Sequence, residues 1–257
     1  PPLSAPELFY QRALAGDAVE IVTVAEEVLR ERSLSEYYDQ IALPGLRLAT
    51  DDVERGLLSE DRAGRICATV EEVLSDLADH DDRAPTRRTV DPEAAGAVAE
   101  IRDRPEAPVL SGEELAPDWR SDQAIVCVGA EGPLDGAAAS LLSQLLGKHS
   151  LPSAAEGPDA LTTRGLYQLG SPTTRLACLV ALSTTRPTHL RHAVRRLRRR
   201  FPQALVVLLV HGAAAGAVEN HGADTAVVSL TEVVAHAVDA ARATAKAPLS
   251  PALVGSA

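Results

Sequence analysis

The stretch AIVCVGAEGPLDGAAASLLSQLLGKHS, residues 124–150, decides the fold. Its first seven residues form a nearly continuous apolar run, which is typical of a strand buried on both faces of a parallel sheet. Helical periodicity begins near Leu134, and Gly132 and Gly136 mark a tight turn between the two patterns. The stretch therefore predicts a βα unit with its turn at the carboxyl end of the strand.

Three more apolar runs follow at intervals, and segments of helical period separate them. The runs are RLACLVAL, ALVVLLVHG and TAVVSL, and a weaker strand near residues 151–155 completes the second βα unit. We expect an α/β fold in which residues 123–247 form a doubly wound, parallel, five-stranded Rossmann-like (flavodoxin-like) domain. Residues 248–257 are expected to be a tail.

The amino-terminal part has a different pattern, with apolar residues at helical spacing throughout residues 1–80. Four amphipathic helices with short connections predict a helical bundle. Asp17, Ser33 and Ser59 are the expected caps of the second, third and fourth helices, and Pro44-Gly45 is expected to kink or interrupt the third. Residues 81–122 are rich in proline and charge, so we expect a linker there, with one helix near residues 92–103.

Composition restricts the function classes. The 257-residue chain is 46% apolar but only 3% aromatic, and its formal net charge of −11 disfavours a nucleic-acid partner, because phosphate contacts need a basic surface. Three scattered cysteines predict no disulfide framework and no zinc site. His189 and His192 have a spacing that can bind metal, but no carboxylate lies beside them, so surface positions are favoured over a metal site. No apolar run reaches the roughly 18 residues of a membrane span. The absence of methionine leads us to expect part of a longer chain.

Ligands of open parallel sheets bind beyond the carboxyl ends of the strands. The candidate site is therefore the set of turns at residues 130–136, 183–187, 211–216 and 229–232. The alternative is that these segments only connect strands to helices, because such turns have the same composition. The GxGxxG fingerprint is absent, which disfavours a nicotinamide cofactor. Catalytic motifs are also missing, since Ser140 and Ser143 fall within a predicted helix. We therefore expect no enzymatic activity.

The order of bundle, linker and α/β domain resembles the cobalamin-binding module, in which a helical cap covers the corrin above a Rossmann-like half. The segment LSEYYDQIALPGLRLATDDVERGLLSEDRAGRI, residues 34–66, is similar to that cap in its tyrosines, its Leu-Pro and its Gly-Leu-Leu. Nearly the whole chain also resembles the soluble tail of bacterial permeases similar to the autoinducer-2 exporter family. This resemblance implies a cytoplasmic domain, the soluble part of an inner-membrane protein.

The same resemblance bears on the cofactor. Base-off cobalamin-binding proteins carry Asp-x-His-x-x-Gly after the first strand, and the histidine ligates cobalt. Aligned on Gly136, this chain has Glu131 at the aspartate position and Pro133 at the histidine position. Cobalamin remains a possible cofactor, but the cobalt-ligating histidine is absent, so a bound cobalamin is expected to keep its own lower base.

Further positions follow from the resemblance. The loop Ser183-Thr184-Thr185 resembles the hydroxyl-bearing loop that lines the groove for the nucleotide tail in cobalamin-binding proteins. His211-Gly212 stands where that family has Gly-Gly. Tyr37 and Tyr38 fit core packing, with a ligand-facing position as the alternative. The candidate ligand-binding residues are Glu131, Gly132, Pro133, Asp135, Gly136, Ser183, Thr184, Thr185, His211, Gly212, Ser229, Tyr37 and Tyr38.

These observations favour a non-enzymatic ligand-sensing or regulatory domain of a membrane permease. Its expected partners are the membrane domain of its own parent chain and a small-molecule ligand. Six arginines within residues 191–200 fit a solvated helix face, with anionic lipid as the alternative partner. Two other function classes remain open, namely a corrinoid-binding carrier subunit of a methyltransferase and a protein-interaction scaffold without a small-molecule ligand.

Overall fold

A computed structural model describes residues 2–83, 107–183, 186–213 and 218–246, without the side chains of residues 243–246. The helix expected near residues 92–103 lies outside these ranges, as do Thr184 and Thr185. No helix in the described ranges is long and apolar enough to span a bilayer.

The amino-terminal part forms the helical bundle that the sequence predicts. Each expected cap is present, because the side chains of Asp17, Ser33 and Ser59 accept hydrogen bonds from the backbone N–H three residues on. The helices are α1 (Ala5–Ala15), α2 (Ala18–Leu29), α3 (Leu34–Tyr37), α4 (Leu43–Glu54) and α5 (Glu60–Asp76).

Pro44 does not break the third helical segment. A π-helical turn over Tyr38–Ala42 joins α3 to α4, and the N–H of Leu43 donates to the carbonyl oxygen of Tyr38, five residues back. Pro44 follows this turn in a continuous helical backbone, because Ala42 and Leu43 also have helical φ and ψ angles. A proline inside a helix lacks one N–H donor and crowds the carbonyl four residues back, and the wider π-helical turn accommodates both effects. The wider π-helical turn therefore replaces the expected kink or interruption.

The second half contains a five-stranded, all-parallel sheet, which confirms the predicted fold class. The strands lie in the order β2-β1-β3-β4-β5. In the register, Cys127 of the first strand pairs with Ala155 on one side and Cys178 on the other. The strands are β1 (Ile125–Gly129), β2 (Ser153–Glu156), β3 (Leu176–Ala181), β4 (Leu205–Val210) and β5 (Thr225–Val227).

Helices cover both faces of this sheet. Alternate residues of β1 point to opposite faces, so Cys127 packs with α6 and α9 while Val128 packs with α8. The helices are α6 (Pro133–Lys148), α7 (Thr163–Gln168), α8 (Pro187–Arg200) and α9 (Leu230–Lys246). The bundle packs on the α6 and α9 side, and its apolar residues form one continuous core with theirs.

Polar contacts also join the bundle to the second half. Gln144 of α6 accepts a hydrogen bond from the hydroxyl of Tyr38 and donates to the carbonyl oxygen of Leu74 at 2.6 Å. Beyond the end of α6, His149 Nε2 lies 2.8 Å from Asp82 Oδ2, and both side chains are buried. The bundle is thus held to the α/β half by buried polar groups as well as by apolar packing.

Residues 107–122, part of the expected linker, pack against the core. Leu110, Leu115 and Trp119 are buried, and Trp119 lies in a short 3₁₀ helix, Pro117–Trp119. Nearby, the Arg175 guanidinium pairs with Asp118. This stretch therefore approaches β1 along the surface of the folded body.

Candidate functional site

A cleft of about 940 Å³ lies between the bundle and the carboxyl edge of the sheet. On the sheet side it is formed by the turn after β1, the end of β3 and the start of α8. On the bundle side it is formed by the carboxyl-terminal half of α4 and the start of α5. The lining residues are Arg47, Thr50, Asp51, Val53, Glu54, Arg55, Glu60, Ala63, Ala130, Glu131, Gly132, Pro133, Leu134, Asp135, Ala181, Ser183, Arg186 and Leu190.

The strand order explains why a cleft forms at this position. In the order β2-β1-β3-β4-β5 the connections from β1 and from β3 leave in opposite directions, so the loops after these two strands separate. Such a topological switch point is the usual ligand position in doubly wound sheets. Here the helices α4 and α5 cover it.

Asp135 organises the turn between β1 and α6. Its Oδ2 accepts hydrogen bonds from the N–H of Glu131 at 2.9 Å and of Gly132 at 3.3 Å, and its Oδ1 accepts one from the N–H of Leu182 at 2.9 Å. Burial raises the pKa of this carboxyl to about 6, and the three N–H donors oppose the rise. The carboxylate thus fixes the β1 turn to the end of β3.

Gly129 permits the close approach of strand and helix at this turn. A Cβ on Gly129 would lie 2.5 Å from the backbone nitrogen of Gly136, which is closer than any side chain allows. Gly136 itself packs against Gly157 and does not line the cleft. Gly136 is therefore a packing residue in the first turn of α6 and no part of the cleft lining.

The mouth of the cleft has an ion pair and a proline. Arg186 Nη1 lies 2.6 Å from Glu131 Oε1, which joins the loop after β1 to the start of α8. Pro133, the first residue of α6, is exposed and lines the cleft. Among the described residues that form this lining, none is a histidine.

Arg47 forms part of the bundle wall and reaches the opposite half. Its Nε donates to Asp51 Oδ1 at 2.9 Å and its Nη1 donates to the carbonyl oxygen of His211 at 2.8 Å. The next residue, Gly212, has φ of +83°, and a Cβ there would lie 1.9 Å from Arg47 Nη1. Arg47 therefore occupies the space beyond the end of β4.

His211 and Ser229 lie beyond the cleft. His211 Nδ1 is 3.4 Å from the carbonyl oxygen of Val228, and burial lowers the pKa of the imidazole. Ser229 Oγ accepts from the N–H of Glu232 at 3.3 Å, as a cap of α9 does. Neither residue is part of the cleft lining.

The amino terminus of α9 is occupied by a carboxylate of the bundle. Asp39 accepts hydrogen bonds from the N–H of Leu230 at 2.7 Å, and from the N–H and hydroxyl of Thr231 at 3.1 and 2.5 Å. Helix amino termini attract anions, and here the protein supplies its own. The sequence analysis missed Asp39, because an acid in an amphipathic helix carries no signal of a partner so distant in the chain.

Tyr37 and Tyr38 are both buried in the core, with ring centroids 5.8 Å apart. Burial raises the pKa of both hydroxyls. Neither ring lines the cleft, and the Tyr38 hydroxyl is used in the contact with Gln144. Both tyrosines are therefore core residues, which is one of the two positions that the sequence predicts for them.

The structure thus brings together five of the thirteen candidate residues in the cleft. These are Glu131, Gly132, Pro133, Asp135 and Ser183. Thr184 and Thr185, the next two residues of that loop, lie outside the described ranges. None of the bundle residues that line the cleft was predicted from the sequence. The polar face of α4 is the sequence feature that corresponds to this wall. Among the described side chains, no group of three or more His, Cys, Asp or Glu is placed to hold a metal ion.

One solved structure resembles this chain over most of its length. No family profile and no curated protein sequence matches this chain. A crystal structure of a cobalamin-binding protein from Desulfitobacterium hafniense DCB-2 aligns with 91% of this chain and 98% of that chain. The identity is 11% and the TM-score 0.36. The fold class rests on the observed topology of the sheet.

Proposed function

We propose that this protein binds a small molecule in the cleft between α4–α5 and the β1–β3 edge of the sheet. The position of the cleft at the topological switch point is the observation that carries the proposal. Its volume of about 940 Å³ lies within the range of small-molecule pockets. The lining combines apolar side chains with charged ones, as a site that orients a polar ligand does.

The proposed role is sensing or regulation without catalysis. Asp135 is the most deeply buried acid of the lining, and both of its oxygens already accept backbone hydrogen bonds. It therefore serves the turn and is poorly placed to act as a general base. A ligand in the cleft would contact both halves of the protein, and it would shift their arrangement only if it bound one arrangement more tightly.

The proposal extends to the parent protein. In the permease reading, this domain lies in the cytoplasm beneath a membrane domain of the same chain and signals ligand binding to it. The resemblance of nearly the whole chain to the soluble tail of such permeases supports that reading. Sequencing of the full gene tests it, since a gene without membrane segments would contradict it.

A corrinoid fits this site only without a protein ligand to cobalt. Pro133 has no nitrogen lone pair to offer, and the described lining contains no histidine. A corrinoid carrier that exchanges its lower base for a protein imidazole is therefore poorly matched by these residues. Titration with hydroxocobalamin tests this point, because a visible spectrum of a histidine-ligated form would favour the carrier function instead.

The decisive experiment is a thermal-shift screen of small molecules with a blocked variant. Gly132 has an extended backbone and open space around it, so Gly132→Trp places a large side chain in the cleft without strain. Gly147→Trp is the matched control, because Gly147 is exposed near the other end of α6, the helix that Gly132 caps, and its Cβ would meet no neighbour. A ligand that stabilises the wild type and the Gly147 variant but not the Gly132 variant would support the proposal.

Two results would contradict it. Equal stabilisation of the Gly132 and Gly147 variants would place the ligand elsewhere on the protein. A library that stabilises none of the three proteins would favour the scaffold function, in which the cleft has no small-molecule role.

A further inference from the structure

We propose that His149 and Asp82 form a pH-sensitive latch between the bundle and the α/β half. The latch is closed while the pair holds one proton more than a neutral imidazole and a carboxylate do, and it opens when that proton is lost. The proposal goes beyond ligand binding and does not depend on it, because His149 follows the end of α6 and the cleft lies at the start of that helix.

The latch joins segments that are distant in the sequence. His149 Nε2 lies 2.8 Å from Asp82 Oδ2, beyond the end of α5, and its Nδ1 lies 3.2 Å from the carbonyl oxygen of Pro108. Asp82 Oδ1 accepts a hydrogen bond from the N–H of Ser35 in α3 at 2.7 Å. The side chains of His149 and Asp82 are only 2% and 4% exposed. One buried point thus connects the bundle, the stretch before β1 and α6.

The hydrogen bonds of the latch require the additional proton. A carbonyl oxygen can only accept, so Nδ1 of His149 must carry a proton to bond Pro108. A neutral imidazole has a single N–H, so its Nε2 would then present a lone pair to the carboxylate of Asp82. Two acceptors would face each other at 2.8 Å. The observed geometry is satisfied when one further proton lies between Nε2 and Oδ2.

The direction of the pH dependence follows from this proton. Burial alone favours a neutral imidazole, but a carboxylate at hydrogen-bond distance opposes that effect. An imidazole in the unfolded chain loses its proton near pH 6.5. Because the closed latch binds the proton more tightly, its contribution is complete below about pH 6.5 and is lost as the pH rises through the titration of the pair.

Other titratable groups surround the latch. Tyr38 lies near Asp82, and its hydroxyl stays neutral because burial, and to a lesser degree the charge of Asp82, raises its pKa. Lys148 donates to the carbonyl oxygen of Ala78, and residues 107–110 have no titratable side chain. The remaining groups are Glu36 in α3 and, next to Asp82 in the chain, His80, Asp81 and Arg83. None of these side chains takes part in the hydrogen bonds of His149 and Asp82 given above.

The ring nitrogens of His149 report the proton directly. Their ¹⁵N chemical shifts are followed by NMR in the full chain labelled at histidine, and the His149→Gln spectrum assigns them. We expect both nitrogens to be protonated at pH 6. The exposed His189 and His192 are internal references, and His149 should lose its proton about one pH unit above them or more.

The amide of Ser35 reports whether the latch is closed, because its acceptor is the Asp82 carboxylate. Its hydrogen-exchange protection, corrected for base catalysis of exchange, is compared at pH 6 and pH 8.5. We expect a fall of about tenfold, which is the change that one pH unit of tighter proton binding allows. The amide of Val180 in the central strand β3 should keep its protection, because the opening is local.

Asp82→Asn separates the proton from the contact. The new amide can donate to Nε2 of a neutral His149 and still accept from Ser35, so the latch keeps its hydrogen bonds without the additional proton. We expect a neutral ring at pH 6 and the same Ser35 protection at both pH values. Asp81→Asn is the matched control, because Asp81 is the preceding residue and is exposed, and it should behave as the wild type does.

Three results would overturn the proposal. The first is a neutral His149 ring in the wild type at pH 6. The second is Ser35 protection that does not change between the two pH values in the wild type, or that falls equally in Asp82→Asn. The third is loss of the pH dependence in Asp81→Asn, which would assign it to general charge. If Asp82→Asn does not fold, the two wild-type measurements decide the proposal.

Discussion

The carboxylate of Asp39 accepts two hydrogen bonds from Thr231, one from its N–H at 3.1 Å and one from its hydroxyl at 2.5 Å. Asp39 lies in the π-helical turn of the bundle, and Thr231 lies in the first turn of α9. One side chain thus caps a helix of the other half of the protein. This contact and that of Arg47 with His211 hold the bundle over the carboxyl edge of the sheet.

Replacement of Asp39 tests this contact. Asp39→Ala leaves the donors of Leu230 and Thr231 without their acceptor, so we expect it to lower the free energy of unfolding by roughly 2–4 kcal/mol. Asp17→Ala is the control, because Asp17 caps α2 at an exposed position. This replacement should lower the free energy of unfolding by about 1 kcal/mol. Urea unfolding measures both, and an equal loss would show that the cross-domain cap is no stronger than a surface one.

The contact between Arg47 and the loop after β4 depends on Gly212. Gly212→Ala should destabilise in two ways, because φ is +83° and the new Cβ would clash with Arg47 Nη1. Gly16→Ala is the control, since Gly16 has φ of +77° and no atom near its Cβ, and it should show the backbone cost of roughly 1 kcal/mol alone. Gly212→Ala should therefore lower the free energy of unfolding more than Gly16→Ala does, and this difference should disappear when Arg47→Ala is added. Persistence of the difference would place its cause elsewhere in the loop.

The buried carboxyl of Asp135 predicts a pH dependence. Because burial raises its pKa to about 6 in the folded state, against about 3.9 in the unfolded chain, the folded state binds the proton more tightly. Stability from this group is therefore greatest below pH 4 and falls as the pH rises to 6.

Asp135→Asn removes the titration, so the stability of the wild type relative to this variant should fall by about 2 kcal/mol between pH 4 and pH 6. Asp135→Asn will also be less stable at every pH, because its amide cannot accept from donors on both sides. The difference in slope, obtained from urea unfolding at several pH values, is the relevant quantity. Parallel curves would mean that Asp135 keeps an ordinary pKa.

The arginines of α8 divide into two groups. Arg198 contacts the Gly222 carbonyl oxygen and Asp224, and Arg200 donates to the carbonyl oxygens of Leu166 and Leu169. Arg191 and Arg196 also have contacts within the protein. Arg195 and Arg199 are exposed and contact no partner among the described residues.

Variants of the two groups should therefore differ in stability. Arg198→Ser and Arg200→Ser should each lower the free energy of unfolding by about 1 kcal/mol or more. The double variant Arg195→Ser, Arg199→Ser should change it by less than about 0.5 kcal/mol. The double variant therefore keeps the fold and is suited to a test of binding to anionic vesicles. If it binds the vesicles as well as the wild type does, these arginines form only a solvated face.

Local patterns were sufficient to predict most of the fold. The apolar runs around β1, β3 and β4 predicted buried parallel strands, and the caps at Asp17, Ser33 and Ser59 fixed where helices begin. The segment of residues 158–168 was not predicted, because its short 3₁₀ and α-helical turns bury only Leu161. Pro44-Gly45 was predicted to kink or interrupt the helix, since sequence periodicity does not distinguish either from a π-helical turn.

The candidate site was predicted only on its sheet side. Glu131, Gly132 and Pro133 follow a recognisable strand, and the rule for parallel sheets places such turns at the ligand edge. The bundle wall has no comparable rule, because it depends on which face of α4 packs over that edge. Tyr37 and Tyr38 are large aromatic residues that fit a core or a ligand-facing position, and the structure places both in the core.

The sequence alone determined most of the secondary elements and their class, because helical and strand periodicity and capping act over a few residues. The tertiary structure decided which charges meet in the cleft. Arg47 and His211 are 164 residues apart and Asp39 and Thr231 are 192 apart, so their contacts arise only when the bundle packs on α6 and α9. Electrostatic pairing depends on distances of a few ångströms between such groups, and only the packed core brings them that close.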